Sequence, residues 1–245
     1  MTFSILIPTR FRVNFLQNLL KSIYDSSIHK EEVEIHVTYD SDDAFTKVIV
    51  NDYHEAPVKT YFHERERVKN INHDYYNWMA KNFAIGKYVI MVNDDTLFEL
   101  HGWDDRAINS LKIWEERFPD GILYGLTEDF EVEASRNEIN WMSCFPLVSR
   151  KVVDILGYIF DPEFIRDGAD WALSSTYRSI DRVVNLRDCI VIKHLSFRSG
   201  RRKWDSLDED SRKLGILPPL ADTYIERNRK ILLEYIEEFK KNEHK

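Results

Sequence analysis

The sequence has little sulfur chemistry to offer. Its two cysteines, Cys144 and Cys189, each lie inside an apolar stretch. They predict reduced core residues, and no Cys/His spacing of a zinc site exists. Long apolar runs are also missing, and none approaches the length of a membrane-crossing helix. The opening Met1-Thr2-Phe3-Ser4-Ile5 lacks the basic stretch and apolar segment of a secretory leader, so a soluble chain of cytoplasmic type is expected. There is no excess of positive charge. The formal net charge of -8 argues against a broad nucleic-acid footprint, although a local basic patch remains able to meet a polyanion. Internal repeats, low-complexity tracts and a clear linker are absent. With 43% hydrophobic and 13% aromatic residues in 245, the chain can bury a sizeable core.

What is present centres on Gly86-Lys87-Tyr88-Val89-Ile90-Met91-Val92-Asn93-Asp94-Asp95-Thr96. Tyr88 to Val92 is an unbroken β-branched and aromatic run, the pattern of a parallel strand covered on both faces. It stops at two adjacent carboxylates. Ligands bind at such carboxyl ends in open α/β sheets, and adjacent carboxylates call for a cation between or beyond them. A polar turn would explain Asn93, Asp94 and Asp95 equally well, since these are favoured turn residues.

Before this stretch, Phe3 to Ile7 reads as a strand ended by Pro8-Thr9-Arg10, and Phe15, Leu16, Leu19, Leu20 and Ile23 recur at helical spacing. Val33 to Tyr39 is a second strand running into Asp40-Ser41-Asp42-Asp43, and Val58 to Phe62 a third. Ile71, Tyr75, Trp78, Met79 and Phe83 mark a helix that Gly86 stops. Strands alternating with helices indicate a mostly parallel sheet. Three strand ends with polar sets at one edge suggest a nucleotide site above it.

After it, a helix is expected over Trp103 to Trp114, and strands over Ile122 to Leu126 and Trp141 to Val148, with Glu128 to Asn140 an exposed loop. Ser149 is placed to cap a helix Arg150 to Leu156. A helix begins near Gly168 and runs to Ser179, and short strands follow at Val183 to Leu186 and Ile190 to Lys193, with His194 at the end. Arg198, Arg201, Arg202 and Lys203 surround Gly200 in a basic loop. Thr223-Tyr224-Ile225-Glu226 fits a capping box for a terminal helix over 223–241. The expected organisation is one domain: a nucleotide-sugar half at 1–100, an acceptor half at 101–222, and the terminal helix.

Taken in order, these motifs resemble the GT-A fold glycosyltransferases, the family-2-like group most closely. Ser4-Ile5-Leu6-Ile7-Pro8-Thr9-Arg10 resembles that group's first strand and turn, and Asn93-Asp94-Asp95 its short acidic metal motif. Phe145 to Arg150, Leu156-Gly157, Asp161 and Gly168-Ala169-Asp170-Trp171 resemble its acceptor-side region, and His194 its late histidine. The resemblance spans residues 2–205. Two positions depart from the pattern. Ser41 follows Asp40 without the usual glycine, leaving Asp40 and Asp42 both open as the base-reading carboxylate. Ala169-Asp170 stands where an acidic pair is usual.

The resemblance implies a Rossmann-like, mostly parallel central sheet flanked by helices and a glycosyl transfer from a nucleotide-sugar, UDP-linked, using Mn2+ or Mg2+. It implies Asp95 and His194 on the metal. Pro8, Thr9, Arg10, Asp40, Asp42, Asn93, Asp94, Arg198 and Arg202 would lie on the donor, Trp171 on the acceptor, and Asp170 would be the base of an inverting reaction. Each residue also has a plainer role to weigh. Asp170 fits a helix N-terminus, Asp167 a cap as well as a reserve base, His194 a packed strand end, Arg10 a surface arginine, and the basic cluster a solvated loop. Trp141, Trp171 and Trp204 fit the core as well as an acceptor ring. Two other functions compete. A catalytically silent nucleotide-sugar-binding scaffold is kept open by the single acid beside Trp171. A sugar-nucleotide pyrophosphorylase is disfavoured because Pro8-Thr9-Arg10-Phe11-Arg12 contains no glycine for a phosphate loop. A saccharide, a lipid-linked sugar, a protein or a modified nucleic-acid base all remain as acceptors, a membrane-anchored one being less favoured.

Overall fold

The structure is a computed structural model that describes residues 1–129, 142–164, 168–195, 203 and 221–243. Strand β1 (Phe3–Thr9) leads through α1 (Val13–Ser26) to β2 (Val33–Asp40), then α2 (Ala44–Ile49) and β3 (Lys59–Arg65). A π-wound turn over Asn72–Asn77 continues into α3 (Trp78–Asn82), which precedes β4 (Tyr88–Met91). Next come β5 (Thr96–Phe98), α4 (Trp103–Arg117), β6 (Tyr124–Leu126), β7 (Glu128–Asp129) and β8 (Leu147–Ser149). The described chain closes with α5 (Lys151–Leu156), α6 (Ala169–Arg178), β9 (Val183–Asn185), β10 (Val191–His194) and α7 (Ala221–Glu243).

Among the described residues the main sheet has seven strands in the order β3-β2-β1-β4-β8-β6-β9, and β5-β10-β7 form a smaller one. Pairing is parallel from β3 across to β4, antiparallel on both sides of β8, and parallel again between β6 and β9. The mostly parallel α/β architecture expected from the alternation is therefore present.

Strand alternation divides the apolar residues between two faces. Phe3, Ile5 and Ile7 pack with Leu16, Leu19, Leu20, Ile23 and Trp103 beneath α1 and α4. Leu6, Val89 and Met91 pack on the other face with Tyr75, Tyr76, Met79, Phe164, Leu173 and, from α7, Leu232 and Ile236. Cys144 and Cys189 are thiols at the border of the first cluster. Gly86 sits where β4 enters against β1, and a Cβ there would lie 2.6 Å from the Ser4 backbone nitrogen.

Several local expectations are corrected. The strand expected over Trp141 to Val148 is confined to Leu147–Ser149, and Trp141 lies outside the described residues. Ser149 caps no helix. Its hydroxyl accepts from the Leu123 N–H at 3.0 Å instead, joining β8 to the approach of β6. The capping box is displaced too: α7 already begins at Ala221, so Thr223 lies inside its first turn. Glu128 and Asp129, expected in a loop, pair with β10.

Candidate active site

The strand order reverses between β1 and β4. From β1 the chain builds outward through β2 and β3, then returns to place β4 on the other side. Such a reversal opens a crevice at the carboxyl ends of the strands. Here β1 and β4 pair from Phe3↔Tyr88 only to Leu6↔Met91, with one further bond from the Val92 N–H to the Leu6 carbonyl. Residues 4, 6 and 8 turn their main-chain groups toward β4, so Pro8 faces the gap that β4 has left. Lacking an N–H, it leaves no donor orphaned there.

Asp94 and Asp95 stand across this gap, 4% and 2% exposed. The Thr9 hydroxyl, from the end of β1, donates to Asp94 Oδ2 at 2.9 Å. Arg12 Nη1 lies 3.3 Å from Asp94 Oδ1 and 3.7 Å from Asp95 Oδ2. Burial is the main cause lifting the Asp94 pKa to about 6. Arg12 and Thr9 oppose it, and the neighbouring Asp95 charge adds to it. The small sheet brings in the distant partner. His194 pairs with Thr96, the residue after Asp95, and its Nε2 lies 3.3 Å from Asp95 Oδ1. The Leu195 N–H then donates to the Asp95 carbonyl at 2.7 Å, and Phe145 meets the imidazole edge-on at 5.0 Å.

A second polar group lies at the end of β2, on the far side of β1. Asp40 is 2% exposed and accepts from Tyr75 OH on Oδ1 and from Arg10 Nη1 on Oδ2. Arg10 also holds Asp42, with Nη2 to Oδ2 at 2.8 Å, and its guanidinium lies 4.4 Å over the Phe11 ring. Phe11 adopts a left-handed φ of 54°. Its N–H donates to Asp43 Oδ2 at 2.7 Å, while Asp43 also caps α2 through the Thr46 N–H. The third acid of the run is thus structural. The π-wound turn serves both ends of the crevice. Tyr75 reaches Asp40, and Tyr76 donates to the Val92 carbonyl at 2.9 Å and to Asn93 Oδ1 at 3.0 Å. A π-turn holds an extra residue per turn and is frequent at functional sites.

The acceptor-side residues approach from β6 and α6. Strand β6 runs parallel to β4, since each pairs antiparallel with β8, and β9 runs parallel to β6. Helix α6 returns to β9, so its N-terminus lies at the carboxyl edge. Gly168 at φ 82° starts it, a conformation favouring glycine, and Asp170 lies in its first turn. Burial lifts the Tyr124 phenol well above its ordinary range. The Ser143 backbone opposes this, and the Asp170 charge adds to it. Trp171 is half-buried against the second core. Asn77 fixes the segment leading to α6. Its Oδ1 accepts from the Ile159 and Phe160 N–H groups at 2.9 Å, and its Nδ2 donates to the Phe160 carbonyl at 2.6 Å.

The donor set fits a hard divalent cation. A buried carboxylate pair, partly neutralised by one arginine, faces an imidazole, and magnesium or manganese sites use few protein ligands beside substrate phosphates. No group of three or more acidic, histidine or cysteine side chains able to hold a metal forms among the described residues, and Asp95 and His194 are the acid and imidazole that face one another, 3.3 Å apart.

Thr9, Arg10, Asp40, Asp42, Asn93, Asp94, Asp95 and His194 are therefore brought to one edge, with Asp170 and Trp171 arriving on α6. Arg198, Arg201, Arg202, Trp204 and Asp167 lie outside the described residues, and Lys203 is exposed. Arg12, Tyr75, Tyr76 and Asn77 were not singled out from the sequence as site residues. Arg12 carries a weak sequence signal, a second cation just past a strand end. The tyrosines only continue a helical apolar pattern.

No family model and no curated protein matches the chain at the level of sequence. Solved structures do match. A structure of S. aureus TarS residues 1–349 with UDP superposes with a TM-score of 0.61 at 17% identity, covering 79% of this chain and 60% of that one. The mannosyltransferase PcManGT of Pyrobaculum calidifontis, with GDP-Man and Mn2+, gives 0.62 at 16% identity over 95% of this chain and 70% of its own. GalNAc-T7 with UDP, GalNAc and Mn2+ gives 0.57 at 12% identity, covering 79% and 43%. These are GT-A-type glycosyltransferases, and the fold of this chain is the GT-A fold.

Proposed function

We propose that this chain is a metal-dependent glycosyltransferase that moves a sugar from a UDP-linked donor to an acceptor hydroxyl, with inversion at the anomeric carbon. The carrying observation is the buried Asp94–Asp95 pair on the β1/β4 crevice, faced by Thr9, Arg12 and His194. Structures sharing the fold hold UDP, or GDP-Man with Mn2+, which supports a nucleotide-sugar here. A divalent cation, when bound, supplies Lewis-acid stabilisation of the charge that develops on a departing diphosphate. Asp95 and His194 would hold that ion. Asp94, oriented by Thr9 and Arg12, faces the ribose, and Asn93, held by Tyr76, lines the same end. Pro8, Thr9 and Arg10 form the floor next to the base, and Arg198 and Arg202 are assigned to the diphosphate on sequence alone. Asp170 accepts the acceptor hydroxyl's proton as the oxygen attacks, a role typically worth ~10²–10⁴ in rate. Trp171 offers its ring to the acceptor.

The test is thermal stability across nucleoside diphosphates, with and without Mn2+, for wild type and Asp95→Ala. A ligand that binds only the folded state raises the melting temperature by mass action. A UDP shift that requires Mn2+ and vanishes in Asp95→Ala is the expected result. A flat response to every nucleotide, unchanged in the variant, would reduce the acidic strand end to a structural turn.

A further inference from the structure

The buried end of β2 presents a shaped edge as well as a carboxylate. Asp40 is reached on Oδ1 by Tyr75 OH and on Oδ2 by Arg10 Nη1. Because β2 and β4 flank β1, their ends lie about two strand spacings apart, roughly 10 Å. That distance suits a nucleoside diphosphate with its phosphates at Asp95 and its base at Asp40.

The base must then satisfy what Tyr75 and Arg10 leave open. Tyr75 is 7% exposed and its hydroxyl donates to Oδ1, so Oδ2 is the Asp40 oxygen that Tyr75 leaves unshared. The exposed Asp42 grips both Nη groups of Arg10 and gives the guanidinium a second anchor. Oδ2 can therefore pass from Arg10 to a ring N–H while Arg10 stays in place to donate to a neighbouring carbonyl. Uracil and thymine offer one ring N–H between two carbonyls and match this edge. Guanine offers two adjacent donors, N1–H and the 2-amino group, which pair one to each carboxylate oxygen, so its second donor must share Oδ1 with the Tyr75 hydroxyl and is weakened. Cytosine turns an unprotonated N3 toward the carboxylate and is repelled.

Resting on the donor-site reading above, we infer that Tyr75 is a specificity-determining residue which, by occupying one oxygen of Asp40, selects uracil or thymine over guanine. Calorimetric titration of the whole chain with UDP, GDP and CDP in Mn2+ tests this. Wild type should bind UDP tightest. Tyr75→Phe removes the hydroxyl and keeps the ring, and should lower the UDP-over-GDP preference about tenfold, the effect of one discriminating hydrogen bond. Asp40→Asn keeps an oxygen for Tyr75 and turns an amide N–H₂ to the base, so it should weaken UDP and strengthen CDP. Melting without ligand confirms that each variant is folded, and if Tyr75→Phe does not fold, Tyr75→Met, which also removes the hydroxyl, is read for the same fall in the UDP-over-GDP ratio. Equal wild-type affinity for UDP and GDP, or an unchanged ratio in folded Tyr75→Phe, overturns the inference and leaves the donor site standing. Binding of no nucleotide by wild type overturns the donor site and the inference together.

Discussion

At the scale of single residues, the arrangement depends on how two adjacent buried carboxylates are tolerated. Arg12 lies within ion-pair distance of both and is itself largely buried. Replacing it by methionine leaves the pair uncompensated, and loss of one partner from a buried ion pair typically costs about 3 kcal/mol or more. Arg12→Met should melt earlier than wild type and recover part of the difference on adding Mn2+, read by calorimetry. Absence of any metal rescue would separate Arg12 from the cation site. The raised Asp94 pKa sets a pH dependence whose sign is fixed. The folded state keeps its proton to about pH 6, whereas an ordinary aspartate releases it near 3.8. The folded state therefore binds more protons in that window, and unliganded stability falls as pH rises through it. A cation favours the carboxylate, so Mn2+ affinity should rise with pH and level off above about 6. Because an imidazole ligand must also be unprotonated, titrations between pH 4.5 and 7.5 are compared between wild type and Asp94→Asn, and an unchanged profile in the variant would show Asp94 remote from the ion. Asp94 and Asp95 were legible in the sequence because an apolar run ended in acids. Arg12 was not, since its partners lie more than eighty positions away and only the fold brings them near.

At the scale of elements, strands are more legible than helix ends. An unbroken β-branched run has few alternatives, so β1, β2 and β4 and their polar ends follow from the sequence. A helix boundary depends on contacts that a local pattern does not contain. The capping box at Thr223 was overridden because α7 begins at Ala221, and the π-winding at Tyr75 and Tyr76 left no periodic trace. Asn77 shows how one element positions another. Its amide holds the main chain of Ile159 and Phe160 through three hydrogen bonds, on the path to Asp170. Asn77→Ala would strand buried main-chain groups and should cost about 3 kcal/mol, summing unmade bonds of ~1 kcal/mol each. The same variant should retain the Mn2+-dependent UDP shift and lose transfer rate, because it loosens the acceptor side alone. Equal losses of nucleotide binding and rate would contradict that division.

At the scale of the whole molecule, the described residues form two cores on opposite faces of one sheet, and α7 closes the second. Leu232 and Ile236 are buried there, while Arg227 and Asn228 reach Asp161, which Tyr158 also contacts. Deleting residues 221–245 should expose that core and lower the melting temperature by several degrees. UDP binding, built from β1, β2 and β4, should persist in whatever fraction remains folded, as equilibrium dialysis would show. Loss of binding in a monomeric, folded deletion would place α7 in the donor site itself. The central position of β1 has a further consequence, for the order in which the molecule can assemble. Phe3 pairs with Val33 on one side and with Tyr88 on the other. Strand β1 is thus completed on its second side by β4, about eighty residues later in the chain, after a long excursion has been made. Parallel pairings across such distances close slowly. Until β4 arrives, β1 has an open edge beside the future crevice, and the nascent chain is expected to be most prone to mispairing in that interval.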